Sequence, residues 1–213
     1  MKVCISEFTF KAFKKLFNDS LKSHELILID SSGDLVRGKG KPDITFASYE
    51  VMFKCLNDGA YRKRFFSLID GSDFIQGSWA GVESEVAQEL IRRTRNFSHG
   101  GGLHAITLAT YVFAQMLRHV KGIDAHIELQ RQKKWEPMLL PGELTDLVIG
   151  IVGFGGIGKE IARLAKAFRM TVLATKRTKV SSKHLDHLFK PSDLEMMLSK
   201  CDFVINCLPV TVE

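Results

Sequence analysis

Apolar positions in the second half of the chain change period several times. The run Leu147 to Val152 is continuous. After it Ile157, Ile161, Leu164, Ala165 and Phe168 recur at helical spacing, with Lys159, Glu160, Arg163 and Lys166 on other faces. A second apolar run, Met170 to Thr175, follows; Ser192 to Lys200 then reads as a helix leading into a third run, Asp202 to Leu208. Three strands with helical connections make half of a doubly wound parallel sheet.

The first hundred residues show the same alternation. Short apolar runs at "KVCI", "ELILI", "DITFA" and "DFIQG" are separated by candidate helices Phe10 to Leu21, Tyr49 to Leu56 and Ser84 to Arg93. A second parallel α/β layer is therefore predicted. Gly33, Gly38, Gly40 and Pro42 mark a loop, and "SHGGG", Ser98 to Gly102, marks a joint between the two parts. Beyond the joint, Ala105 to Gln132 reads as one long helix, apolar at Leu108, Tyr111, Val112, Met116, Leu117 and Val120, with Pro137 and Pro141 as stops. No internal repeat interrupts this order.

The turn after Val152 carries the first chemistry. Gly153, Gly155 and Gly158 fill the dinucleotide pattern G-x-G-x-x-G, in which the first glycine permits a tight turn, the second lets backbone approach a pyrophosphate and the third lets helix pack on strand. The pyrophosphate then rests on the helix N-terminus. Gly153, Gly158 and Lys159 also follow the P-loop pattern, but Glu160 stands where that pattern needs a magnesium-binding hydroxyl. The dinucleotide reading meets every fixed position.

Composition adds limits. With 213 residues, 45% hydrophobic and 25% charged, the sequence is ordinary for a folded protein. No apolar run approaches a membrane span, and "MKVCISEFTF" lacks the apolar centre of a signal peptide, so a cytoplasmic location and no membrane partner are expected. Cys4, Cys55, Cys201 and Cys207 form no C-x-x-C pair, and His184 and His187 have no companion ligands; neither disulfide nor metal is expected. The net charge of +6 is dispersed and interleaved with acids, which argues against nucleic acid as a partner. Two basic clusters stand out, Arg62 to Arg64 and Lys176 to Lys179. The second lies just past the second strand of the dinucleotide fold, where an acidic residue would hydrogen-bond the ribose hydroxyls of NAD. Lys176 and Arg177 there favour the 2′-phosphate of NADP, with NAD kept as the alternative.

On "FIQGSWAGVES", "KKWEP", "GELTDLVIGIVGFGGIGKEIARLAKAFRMTVLA" and "CDFVINCLPVT", the whole chain resembles the D-isomer-specific 2-hydroxyacid dehydrogenases, a family that includes phosphoglycerate, glyoxylate and hydroxypyruvate reductases. Pattern and resemblance together give an α/β chain of two Rossmann-like doubly wound domains. Residues 1–100 would be a flavodoxin-like substrate domain, and residues 101–213 the connecting helix and first half of an NAD(P)-binding domain. The resemblance implies that Gly156 and Ile157 offer amides to the pyrophosphate and that Leu208 and Pro209 line the adenosine side. It implies that Ala80, Gly81 and Val82 form the loop facing the carboxylate of a small 2-oxo or 2-hydroxy acid. Trp79 either packs over that substrate or into the domain.

The resemblance also implies a homodimer built from the dinucleotide domains, with the long helix contributing. It places the arginine, glutamate and histidine of catalysis beyond Glu213, so no catalytic residue is assigned and this chain alone is expected to be inactive. The expected three-stranded sheet would leave its third strand an open edge and one face bare. The alternative function is a non-catalytic nucleotide-binding remnant or co-repressor-like sensor.

Overall fold

In the computed structural model, residues 1–137 and 142–209 are described. The chain divides into two compact units, Met1–Gly101 and Gly102–Pro209. Among the described residues no helix is long and apolar enough to cross a membrane.

In the first unit, strands β1 (Lys2–Ser6), β2 (Glu25–Ile29), β4 (Ile44–Ala47), β5 (Phe74–Gly77) and β6 (Asn96–Ser98) run parallel in the order β2-β1-β4-β5-β6, and the short β3 (Leu35–Arg37) adds an antiparallel edge beside β2. Setting β3 aside, this is the flavodoxin-like order 2-1-3-4-5. Cys4, Ile27, Ile29 and Ile75 bury one face under α3 (Tyr49–Asn57), α4 (Gly59–Ile69) and α5 (Glu85–Arg92). Val3, Ile5, Leu26 and Leu28 bury the other with Phe10 and Phe17. A parallel sheet wants cover on both faces, which explains strands read as continuous apolar runs.

Several boundaries differ from those predicted. The helix expected over Phe10 to Leu21 is two, α1 (Glu7–Ala12) and α2 (Lys14–Ser20). The Ser6 side chain accepts from the Thr9 amide and so starts α1 earlier, while Phe13 leaves helical geometry at φ −121°, ψ 32°. The aromatic and β-branched run Phe8-Thr9-Phe10 has low helix propensity, which makes such a break inexpensive. Helix α4 was not anticipated, because Asp58-Gly59 reads as a turn and Arg62 to Arg64 interrupt the apolar pattern. Asp58 is its N-cap, accepting from Ala60 and Tyr61, and Tyr61, Phe65, Phe66 and Ile69 form its buried face.

The second unit holds β7 (Val148–Val152), β8 (Thr171–Thr175), β9 (His187–Phe189) and β10 (Phe203–Asn206), all parallel in the order β10-β7-β8-β9. The sheet has four strands where three were expected, the extra one being β9, which lies between the second and third apolar runs. The long helix is also corrected. Gly122 takes the left-handed conformation (φ 60°, ψ 33°) and divides it into α6 (Ala105–Val120) and α7 (Ile123–Arg131), as glycine does when it ends a helix. The stop at Pro137 follows α7; Pro141 lies outside the described residues.

Helix α8 (Gly156–Ala167) covers one face of this sheet and α6 packs on α8, Phe113 stacking on Phe168 with ring centroids 5.1 Å apart. The opposite face is not bare as expected. Met197 of α9 (Leu194–Leu198) packs with Leu173 and Phe189 there. Strand β10 is an edge as anticipated, pairing among the described residues only with β7, and Val204 remains 47% exposed.

Candidate dinucleotide and substrate-loop sites

Three strand ends meet at the glycine turn. Gly153 follows β7 with φ +97°, a conformation glycine adopts without strain, and its amide donates to the Thr175 carbonyl at the end of β8 at 3.2 Å. A Cβ on Gly153 would lie 3.0 Å from Leu208 Cδ2 and 3.1 Å from the Cys207 carbonyl, beyond β10. The chain leaves β7 toward β8 on one side, and β10 lies on the other. The turn therefore sits at the topological switch point, outside the carboxyl ends of the strands, where open α/β sheets form ligand crevices.

Each glycine of the pattern has its own surroundings. A Cβ on Gly158 would fall 2.5 Å from the Gly153 carbonyl oxygen and 3.0 Å from Ile151 Cγ2, so this glycine permits close helix–strand packing. A Cβ on Gly155 would meet nothing within 4 Å. The space over Gly155 is thus open to a ligand approaching backbone. Gly155 is also the N-cap of α8 and supplies no capping side chain, so the first amides of the helix, at Gly156, Ile157 and Gly158, have no intrahelical acceptor. A helix N-terminus of this kind binds anions through its amides and its dipole. The arrangement fits a pyrophosphate. Glu160, which breaks the P-loop pattern, pairs with Arg163 at 2.6 Å.

At the end of β8, Lys176 donates its amide to the Phe189 carbonyl at 3.3 Å, which fixes its backbone beside β9. Its side chain and that of Arg177 form no ion pair among the described residues, and Arg177 is exposed. Leu208 and Pro209 are exposed past β10; the Leu208 amide donates to Asn206 Oδ1 at 3.0 Å, shaping that turn. The structure brings the glycine turn, the end of β8 and Leu208 together. Sequence reading missed Thr175 and Asn206, which position the turn. Thr175 acts through its carbonyl, and no side-chain pattern reports that.

The loop after β5 is held from below. The Ser78 amide donates to the Ala47 carbonyl at 3.0 Å, the Gly100 amide to the Trp79 carbonyl at 2.7 Å, and Gln88 Nε2 to the Val82 carbonyl at 2.7 Å. Carbonyls are thus engaged, while the amides of Ala80, Gly81 and Val82 have no acceptor among the described residues. Ala80 and Gly81 are exposed. Trp79 does not share this exposure: at 6% it packs into the core against Phe97, so of the two readings of its side chain the structure takes the second. Only its backbone belongs to the loop.

Residues 113–213 match the family described as D-isomer specific 2-hydroxyacid dehydrogenase, NAD binding domain. A glyoxylate reductase from Pyrococcus furiosus is 41% identical over 143 residues, which cover 62% of this chain and 42% of that protein. Among solved structures, an NADPH-dependent glyoxylate/hydroxypyruvate reductase from Sinorhizobium meliloti in complex with NADP has a TM-score of 0.71 at 18% identity, over 99% of this chain and 63% of its own. A D-lactate dehydrogenase from Aquifex aeolicus complexed with NAD and lactic acid has a TM-score of 0.68 at 19% identity, over 98% and 61%. These two share the fold. The chain spans less than half the length of the curated relatives it matches. The glycine turn and the matched residues 113–213 are thus similar to the NAD binding domain of the D-isomer specific 2-hydroxyacid dehydrogenases, and the chain as a whole shares the fold of the solved structures.

Proposed function

We propose that this chain serves an oxidoreductase that moves a hydride between NAD(P) and a small D-2-hydroxy acid or 2-oxo acid, and that it forms the N-terminal portion of that enzyme. The glycine turn carries the reading, through the open space over Gly155 and the unengaged first amides of α8 at a switch point. A glyoxylate reductase among the relatives supports a small oxo acid as substrate.

In this reading, the amides of Gly156 and Ile157 hold the pyrophosphate, and Leu208 and Pro209 line the adenosine side. The amides of Ala80, Gly81 and Val82 hold the substrate carboxylate through hydrogen bonds to its charge. When bound, the nicotinamide supplies or accepts the hydride. Hydride transfer also needs a proton donor at the carbonyl oxygen and a cationic clamp on the carboxylate. The resemblance assigns those roles to an arginine, a glutamate and a histidine, and none of the described residues is proposed for them; the part proposed for this chain is to hold the dinucleotide and the substrate carboxylate. A cytoplasmic location goes with such an enzyme. A homodimer is also part of the proposal, supported by the exposed side chains of Ile106, Leu108 and Tyr111 along α6.

Solved relatives hold NADP in one case and NAD in another, and Lys176 and Arg177 favour NADP here. Titration of the chain with NADPH and NADH tests this. NADPH is expected to bind more tightly, and Lys176→Asp is expected to cut that preference by about tenfold, the scale of one charge-assisted hydrogen bond. Equal affinities, or a ratio unmoved by Lys176→Asp, would remove the NADP assignment and leave the dinucleotide reading intact.

A further inference from the structure

The loop proposed to hold the substrate carboxylate carries a carboxylate of its own. A Cβ on Gly81 would fall 2.5 Å from Oε2 of Glu83 and 3.9 Å from its Oε1, so the charged end of this side chain lies against the Gly81 α-carbon, between the unengaged amides of Gly81 and Val82. It reaches there because Gly81 has no side chain to fill that space.

The backbone around Glu83 is held on both sides. Gln88 Nε2 donates to the Val82 carbonyl at 2.7 Å, and Oγ of Ser84, the N-cap of α5, accepts from the Ala87 amide at 3.2 Å. Glu83 therefore stays with the loop through its own Cα, while its side chain is exposed.

The cations of this region are paired elsewhere. Arg62 pairs with Glu85 at 3.5 Å, and Arg92 and Arg93 pair with Glu89 at 2.8 and 2.6 Å. Glu83 makes no ion pair and accepts no hydrogen bond among the described residues. Three amides suit the oxygens of one carboxylate. A second carboxylate on the same small ligand would find no donor left in the loop and Glu83 beside it. Like charges about 4 Å apart in water weaken binding by about fivefold.

We propose that Glu83 is a specificity-determining residue, whose carboxylate leaves the loop open to 2-hydroxy and 2-oxo monocarboxylates and repels dicarboxylates. This rests on the reading that the amides of Ala80, Gly81 and Val82 receive the substrate carboxylate. Glu83 also lies just ahead of α5, where the helix dipole favours a negative charge. A purely structural role of that kind predicts a small loss of stability on neutralisation and no change in ligand choice.

The test reads the amide resonances of Ala80, Gly81 and Val82 in the isotope-labelled full chain during titration with D-2-hydroxybutyrate and with D-malate, acids of equal carbon number that differ by a terminal carboxylate. D-2-hydroxybutyrate is expected to move the three amides saturably, and D-malate to bind about fivefold more weakly. Glu83→Gln is expected to bring the two affinities together, and added salt to narrow the gap in the unaltered chain. Equal affinities in the unaltered chain, or a ratio unmoved by Glu83→Gln, overturn the role of Glu83 and leave the loop reading standing. If neither acid moves these amides, the loop reading itself falls and the role of Glu83 with it. The comparison of the two acids uses the unaltered chain, so it decides even if the variant folds poorly.

Discussion

Gly158 and Gly155 lie three residues apart in one turn and face opposite constraints. Gly158 is closed in, with a backbone oxygen where its Cβ would be, so Gly158→Ala forces the helix away from β7. We expect a loss of stability of about 1–3 kcal/mol, the usual cost of overpacking, measurable by urea unfolding; unchanged stability would contradict the packing role. Gly155 is open and its φ of −90° suits any residue, so alanine there leaves the fold intact. Both tasks were legible in the sequence, because the spacing of three glycines after an apolar run encodes them. The fate of Trp79 was not. Whether an indole turns outward or into a core depends on the space beside it, here offered by Gly77, whose Cβ position lies 3.0 Å from the indole ring.

At the scale of elements, legibility followed apolar periodicity. β1, β2, β7 and β8 lie in continuous apolar runs and were readable, since central parallel strands are buried on both faces. β3, β6 and β9 are three residues each and lie outside such runs, so local pattern is silent about them. Gly122 was visible inside the long helical pattern, but a glycine there is equally compatible with an unbroken helix. Beyond Gly122, α7 buries none of its residues, and Trp135 after it is 92% exposed. With the exposed side chains of α6, these are the surfaces for the proposed homodimer. Sedimentation equilibrium is expected to give twice the 23.9 kDa chain mass, and Tyr111→Glu to return it to one; a monomer across micromolar concentrations would refute the dimer.

The molecule as a whole is two units with separate cores, each carrying one half of the chemistry proposed: a loop of unengaged amides after β5 in the first and a phosphate-fitting turn after β7 in the second. The parallel sheets and the glycine turn were legible in sequence because they rest on local pattern. Strand order and the cover on the second sheet's far face depend on long-range pairing. The account rests most directly on the second unit's turn receiving a dinucleotide. The decisive measurement is NADPH binding by the intact chain beside Gly155→Ala, with circular dichroism showing that both are folded. Saturable binding at one site per chain, lost in the variant, is the predicted result; no binding by the unaltered chain, or equal binding by the variant, would contradict it.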